Sequence, residues 1–183
     1  NLERFLVTYP NSKDLVYAHY LIAMCYYETI EGEKKDSAPL LKAKEKFNYV
    51  LKNFPNTDFA LDSKFKLDLI EDILAAKEMY IGRHYLKKEK WIASINRFKN
   101  VVEDYDQTIF VTEALHRLVE INYNLGLIEE SQKYAKILGY NYQSSDWYKR
   151  SYKIFNEDYS TQIIKNIKKD KKGVLNKFKK LFN

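Results

Sequence analysis

Turn-forming residues are scarce in this chain. Its 183 residues include five glycines and three prolines. A sandwich or barrel needs a turn every ten residues or so, usually marked by Gly, Pro or Asn, so long helices with few breaks fit better. Cysteine is nearly absent. Cys25 stands alone, which excludes an intramolecular disulfide and any CxxC metal or redox pair. Its place in the run Tyr20-Leu-Ile-Ala-Met-Cys-Tyr-Tyr27 reads as a buried small hydrophobe rather than a reactive thiol. No apolar run approaches the roughly 18–20 residues of a membrane-spanning helix, and no signal peptide is visible. The chain opens on Asn1 straight into a helical pattern, as a fragment or processed form would.

Catalytic constellations are lacking too. His19, His84 and His116 are far apart and fit no HExxH-like spacing, and no Gly-rich phosphate loop occurs. Acidic pairs such as Glu71-Asp72 and Glu129-Glu130 read as solvated helix faces. The expectation is a protein that is not an enzyme and needs no cofactor or metal.

The composition is that of a globular chain, 45% hydrophobic and 31% charged. The net charge of +6 is uneven. Residues 165–183 hold eight lysines and one acid, so this tail carries 8 − 1 = +7 and the rest 6 − 7 = −1.

Apolar residues recur at helical spacing nearly throughout. A first helix ends at Tyr9-Pro10, and Asn11 or Ser12 caps the next, over about 13–30. A charged loop comes next, around Glu31–Asp36, and Ser37 with Pro39 starts a helix that runs to Phe54-Pro55. A long helix extends from Asn56 or Thr57 to Lys87, with Gly82 as a candidate bend. Further helices are expected over about 89–105, from a cap at Thr108 to Gly126, over 128–138 with Gly139 as C-cap, and from Ser144 or Ser145 through Phe155. In the tail, Val174, Leu175, Phe178, Leu181 and Phe182 form one apolar stripe opposite the lysines.

The helix ends repeat. Tyr9-Pro-Asn-Ser12 matches Phe54-Pro-Asn-Thr57, and Phe47-x6-Phe54-Pro-Asn-Thr57 matches Phe98-x6-Tyr105-Asp-Gln-Thr108. A small residue precedes each phenylalanine by four, Ala43 before Phe47 and Ser94 before Phe98. That pattern belongs to tetratricopeptide-like helix pairs, in which a small residue allows a close helix crossing. The expected fold is all-α, helix-pair repeats forming a short right-handed superhelical solenoid over 1–156, with a lysine-rich amphipathic extension over 157–183. Such arrays hold other polypeptides on a curved face.

A collinear series of segments points to one family. It comprises Ala18-His-Tyr-Leu-Ile-Ala-Met-Cys-Tyr-Tyr27, Lys66-Leu-Asp-Leu69, Ala76-Lys-Glu-Met79 with Gly82-Arg83, and Tyr85-Leu-Lys-Lys88. It continues with Ile95-Asn-Arg-Phe-Lys99, Glu113-Ala-Leu-His-Arg-Leu-Val-Glu120, Leu125-Gly-Leu127, Leu138-Gly-Tyr-Asn141 and Ser145-Asp-Trp-Tyr148. Over about 1–156 the chain resembles the BamD or ComL outer-membrane assembly lipoproteins of Gram-negative bacteria, alphaproteobacterial members above all. The resemblance implies a five-repeat scaffold on the periplasmic face of the outer membrane, held by an N-terminal lipid anchor. It implies binding to the periplasmic domains of BamA, contact with other assembly subunits and aid to unfolded β-barrel proteins. The lipid-attachment cysteine, the first repeat and half of the second have no counterpart here. A general periplasmic adaptor and a peptidoglycan-linked factor are the alternatives.

Arg97 is the sharpest candidate. Ile95 and Phe98 must face the core, which leaves Arg97 on the side or outer face. The resemblance places Asn96 and Arg97 in the segment facing BamA, where a guanidinium–carboxylate pair would suit. An intramolecular salt bridge is the alternative. Trp91 and Arg117 join them as partner-facing residues, and Tyr26, Tyr27, Tyr140, Tyr142, Trp147 and Tyr148 are further aromatics within reach of a partner. The tail admits three readings: a solvated extension, a docking segment for another subunit, or an interfacial helix on an anionic membrane. The membrane reading uses Lys168, Lys169, Lys171, Lys172, Lys177, Phe178, Lys179 and Lys180. Nucleic acid is not expected, since the charge is confined to the terminus.

Overall fold

The computed structural model describes residues 1–29 and 36–155. Eight helices and no strands occur among them: α1 (Leu2–Thr8), α2 (Leu15–Tyr27), α3 (Ala38–Asn53), α4 (Asp58–Lys87), α5 (Trp91–Asp104), α6 (Val111–Asn124), α7 (Ile128–Asn141) and α8 (Asp146–Phe155). The expected loop at 31–36 lies almost wholly outside the described residues, as does everything after Phe155. No described helix is long and apolar enough to cross a membrane. The chain divides into two compact units, Asn1–Ala114 and Leu115–Asn183.

Four corners of one geometry punctuate the chain. Tyr9, Phe54, Tyr105 and Tyr142 end α1, α3, α5 and α7 with φ between −136° and −128° and ψ between 40° and 62°. Each donates its N–H to the carbonyl four residues back. Each carbonyl then accepts from the residue three on: the backbone N–H of Ser12, Thr108 and Ser145, and the Thr57 hydroxyl. A following proline pushes its predecessor out of the α region, which accounts for Tyr9 and Phe54. Tyr105 and Tyr142 reach the same conformation without proline. The aromatic and the Ser/Thr three residues on are therefore the common elements.

The fourth corner corrects the reading of Gly139. That residue lies inside α7, which continues to Asn141 and is capped by Tyr142. A Cβ built on Gly139 would stand 3.0 Å from the Tyr148 ring, so the glycine serves close packing rather than termination. Gly82 has the same part inside α4, where a Cβ would come within 2.7 Å of the Phe98 ring. Of three further helix starts, that of α4 agrees with expectation and two differ. Thr57 caps α4, its hydroxyl accepting from Ala60 N–H. Thr108, by contrast, donates its hydroxyl to the Tyr105 carbonyl, and α6 starts later, at Val111. α2 starts at Leu15, because Ser12 Oγ is engaged by Asp14 N–H in a turn before it.

In the first unit, α2 pairs with α3, and α4 pairs with both α3 and α5. The core there gathers Ala23 from α2, Leu40, Ala43 and Phe47 from α3, and Leu67, Ile70 and Leu74 from α4. Cys25 is exposed rather than buried. α2 turns Ala18, Ile22 and Ala23 inward, and Cys25 falls on another side of that helix.

Ser94, expected at a crossing, and Ser131, which the sequence alone does not single out, hold the α4–α5 and α6–α7 pairs at one register. Ser94 Oγ donates to the Gly82 carbonyl at 2.9 Å, and Ser131 Oγ to the Val119 carbonyl at 2.8 Å. Both serines are fully buried, and each bond spans twelve residues. A second set of small residues sits nine positions after each corner. Ala18, Ser63, Ala114 and Ser151 are all buried.

Successive first helices of the pairs also clasp one another. Tyr20 of α2 donates to Asp62 of α4 at 2.6 Å, and Arg83 of α4 donates through Nε and Nη2 to Glu113 of α6 at 3.0 and 2.5 Å. His116 of α6 hydrogen-bonds Ser151 of α8 at 2.8 Å and packs its ring 5.1 Å from Trp147. His116 is thus a buried structural residue.

Candidate functional site: the Arg97 face

The α4–α5 hairpin turns at Lys88–Lys90, with Glu89 in the left-handed region at φ 55°. The Ser94–Gly82 bond sets its register. Residues four or so on either side of that crossing then oppose one another, which brings Arg97 and Asn100 of α5 against Glu78 of α4. Arg97 Nη1 donates to both Glu78 oxygens, at 3.1 and 3.2 Å, and Asn100 Nδ2 donates to Glu78 Oε2 at 3.0 Å. The Glu78 side chain is 16% exposed and that of Arg97 39%.

One guanidinium nitrogen is therefore fixed, while Nε and Nη2 make no hydrogen bond among the described residues. Arg97 also lines a pocket of about 310 Å³ together with Tyr85, Ala93, Asn96 and Asn100. The Nε–Nη2 edge is the geometry that takes a carboxylate with two parallel hydrogen bonds. Asn96 is exposed beside it. Towards the start of α4, Leu61, Phe65 and Leu69 recur at intervals of four and are all exposed, forming an apolar stripe on the face away from the core.

The matching family is described as "YfiO: Outer membrane lipoprotein", over residues 1–138. The chain belongs to the YfiO/BamD family. It is 45% identical over 84% of its length to the outer membrane protein assembly factor BamD of Rickettsia prowazekii, covering 61% of that relative. It is 40% identical over 85% of its length to that of Caulobacter vibrioides, covering 51%. The chain thus spans about half to three-fifths of the length of these curated relatives. The tetratricopeptide-like repeats expected of a YfiO/BamD protein are the helix pairs and corners described above.

Of the partner-facing residues expected in this family context, Asn96 and Arg97 share one pocket. Trp91 is the first residue of α5, half-buried and not part of that lining. Arg117 lies on α6, paired with Glu120 at 2.8 Å and 5.6 Å from the Trp147 ring. Glu78 and Asn100 do not stand out in the sequence. The hairpin register is the available signal: once Ser94 opposes Gly82, Glu78 must oppose the turn holding Arg97.

The aromatics have varied surroundings. Lys42 lies over Tyr26, Lys66 over Tyr27, and Arg150 over Trp147 at 4.6 Å. Tyr142 is a corner and Tyr148 packs on Gly139, whereas Tyr140 is 89% exposed. No group of three or more His, Cys, Asp or Glu able to hold a metal occurs among the described residues. The eight tail residues assigned to a membrane surface, Lys168 to Lys180, lie outside the described residues.

Proposed function

We propose that this chain is a non-enzymatic scaffold part of the β-barrel assembly machinery, binding the periplasmic domains of BamA. The named relatives are outer membrane protein assembly factors, and that role is the one carried over here. On this reading the full-length protein works at the periplasmic face of the outer membrane, held by an N-terminal lipid anchor, and helps unfolded barrel proteins fold and insert. Binding, not bond-making, is the mechanism.

The observation that carries this reading is the divided guanidinium of Arg97. Glu78, itself held by Asn100, takes one nitrogen of Arg97, and Arg97 also lines the Asn96 pocket. A rigidly oriented arginine loses little conformational freedom on binding, which favours a carboxylate from a partner. The exposed Leu61, Phe65 and Leu69 offer a separate apolar strip for an unfolded polypeptide.

The test is the affinity of BamA periplasmic domains for the Arg97→Leu variant. Removing one partner of an interfacial charged pair costs about 2–5 kcal/mol, so binding should weaken at least tenfold. Unchanged binding by a folded variant sinks the assignment of Arg97. Absence of BamA from a pull-down out of solubilised outer membranes sinks the wider reading.

A further inference from the structure

α8 is the least covered of the described helices that come after a corner. α2 hides Ala18, Ile22 and Ala23, whereas α8 hides Ser151 alone. Its tyrosines Tyr148 and Tyr152 lie with ring centroids 6.3 Å apart, and two adjoining hollows share them. The first, a mainly apolar groove of about 540 Å³ between α7 and α8, is also lined by Ala135, Gly139, Tyr140 and Phe155. The second, of about 530 Å³, is bounded by Lys149 and Lys153. Tyr140 stands almost fully exposed, and Tyr152 is half-exposed.

The charge around these hollows has one sign. Neither lining includes an acidic residue. On α7 and α8, Glu130 is taken by Lys133 and Asp146 by Lys149. Lys136 in the first lining and Lys153 in the second are exposed, and neither makes an ion pair among the described residues. An apolar, aromatic floor between uncompensated lysines is complementary to a segment with an apolar stripe and carboxylates beside it. We propose that this face docks an acidic amphipathic helix of a partner polypeptide, its apolar side in the α7–α8 groove and its carboxylates on Lys136 and Lys153.

A helix suits the place in form and length. Two packed helices leave a groove between them into which the ridge of a third fits, and α4 already packs against both α3 and α5 in this way. The α7 lining runs from Gln132 to Tyr140, about 12 Å at 1.5 Å per residue, or roughly two helical turns. Apolar burial supplies the affinity, and the exposed charge pairs set which helix is accepted. The docking face shares no residue with the Arg97 pocket. The family match ends at Leu138, so α8 lies wholly beyond it.

The test is fluorescence anisotropy of a labelled helical peptide titrated with the full chain. The peptide carries Leu at i, i+4 and i+7 with Glu on the flanks, and its controls are a Lys-for-Glu counterpart and a scramble of the same composition. The expected result is binding of the Glu peptide at least about tenfold tighter than either control. Tyr140→Ala should weaken it by about tenfold, and the double variant Lys136→Glu, Lys153→Glu should reverse the preference towards the Lys peptide. All three residues are exposed, so these variants should keep the parent's thermal melt. Should Tyr140→Ala fail to fold, the charge reversal alone decides. Equal binding of the Glu peptide and its scramble overturns the proposal. So does binding that neither variant changes, which belongs to the lysines of 165–183 instead. Self-association of the parent in sedimentation velocity that Tyr140→Ala abolishes also overturns it, because the occupant is then a second copy. None of these results touches the Arg97 measurement, so the two readings fail independently.

Discussion

α6 and α8 come after corners of one geometry and carry Ala114 and Ser151 at the same buried position. Their burial is otherwise opposite. α6 hides Val111, Ala114, Leu115, Leu118, Val119 and Ile121, while α8 hides Ser151 alone. The repeat signature specifies where a helix starts and which residue meets its neighbour. How much of the helix becomes core depends on what is packed on its remaining sides.

The largest expected effect tests that contrast at matched positions. Leu118 and Phe155 both stand thirteen residues after a corner, as do Ile22 and Leu67. Leu118 is fully buried, so Leu118→Ala should cost about 2–5 kcal/mol in denaturant unfolding. Phe155 is half-buried beside the Tyr123 ring, and Phe155→Ala should cost about half as much by area. Equal losses would mean that α8 is covered to the same degree as α6.

A smaller effect separates two serines at one repeat position. Ser151 Oγ bonds His116, so Ser151→Ala should destabilise by about 1 kcal/mol. Ser63 Oγ is buried without a partner among the described residues. Removing an unsatisfied hydroxyl removes its desolvation cost, so Ser63→Ala should be neutral or mildly stabilising in thermal melts. A clear loss in Ser63→Ala would break the comparison.

The smallest effect is a pH dependence at the α2–α4 clasp. Burial, then the hydrogen bond to Asp62, push the Tyr20 phenol up to about 12. Folding therefore favours the neutral phenol. That stability is fully present below the ordinary value near 10 and is lost as pH rises from 10 towards 12. Tyr20→Phe should flatten this alkaline limb in a pH series of unfolding midpoints. At the matching position of α8, eleven residues after its corner, stands Lys153, so no equivalent limb is expected there.

Much of the fold is legible from sequence because it is local. Helical spacing, the Tyr9, Phe54 and Tyr105 corners and the paired small residues Ala43 and Ser94 all lie within a few residues of their partners. The corner at Tyr142 escapes a sequence reading because Gly139, three residues before it, looks like a cap. Glycine is ambiguous in sequence: it ends helices, and it also admits a ring at close range, as Gly82 admits Phe98. Cys25 is misplaced by sequence because nearly every position from Tyr20 to Tyr27 is apolar, so composition does not identify the inward face. At the candidate site, Arg97 is legible as a residue off the core stripe. Its bond to Glu78 is not, because it depends on the register of two helices around a turn.

The corners have a consequence for how the chain folds. Each is closed by hydrogen bonds over three or four residues, and the side-chain hydrogen bonds of longest range join residues about forty apart, Tyr20 to Asp62 and Ser37 to Lys77. Low contact order of this kind favours rapid folding, because little loop-closure entropy precedes the first stable contacts. Assembly can begin at any corner and spread to its neighbours, so the order in which helices form is set by local stability rather than position in the chain.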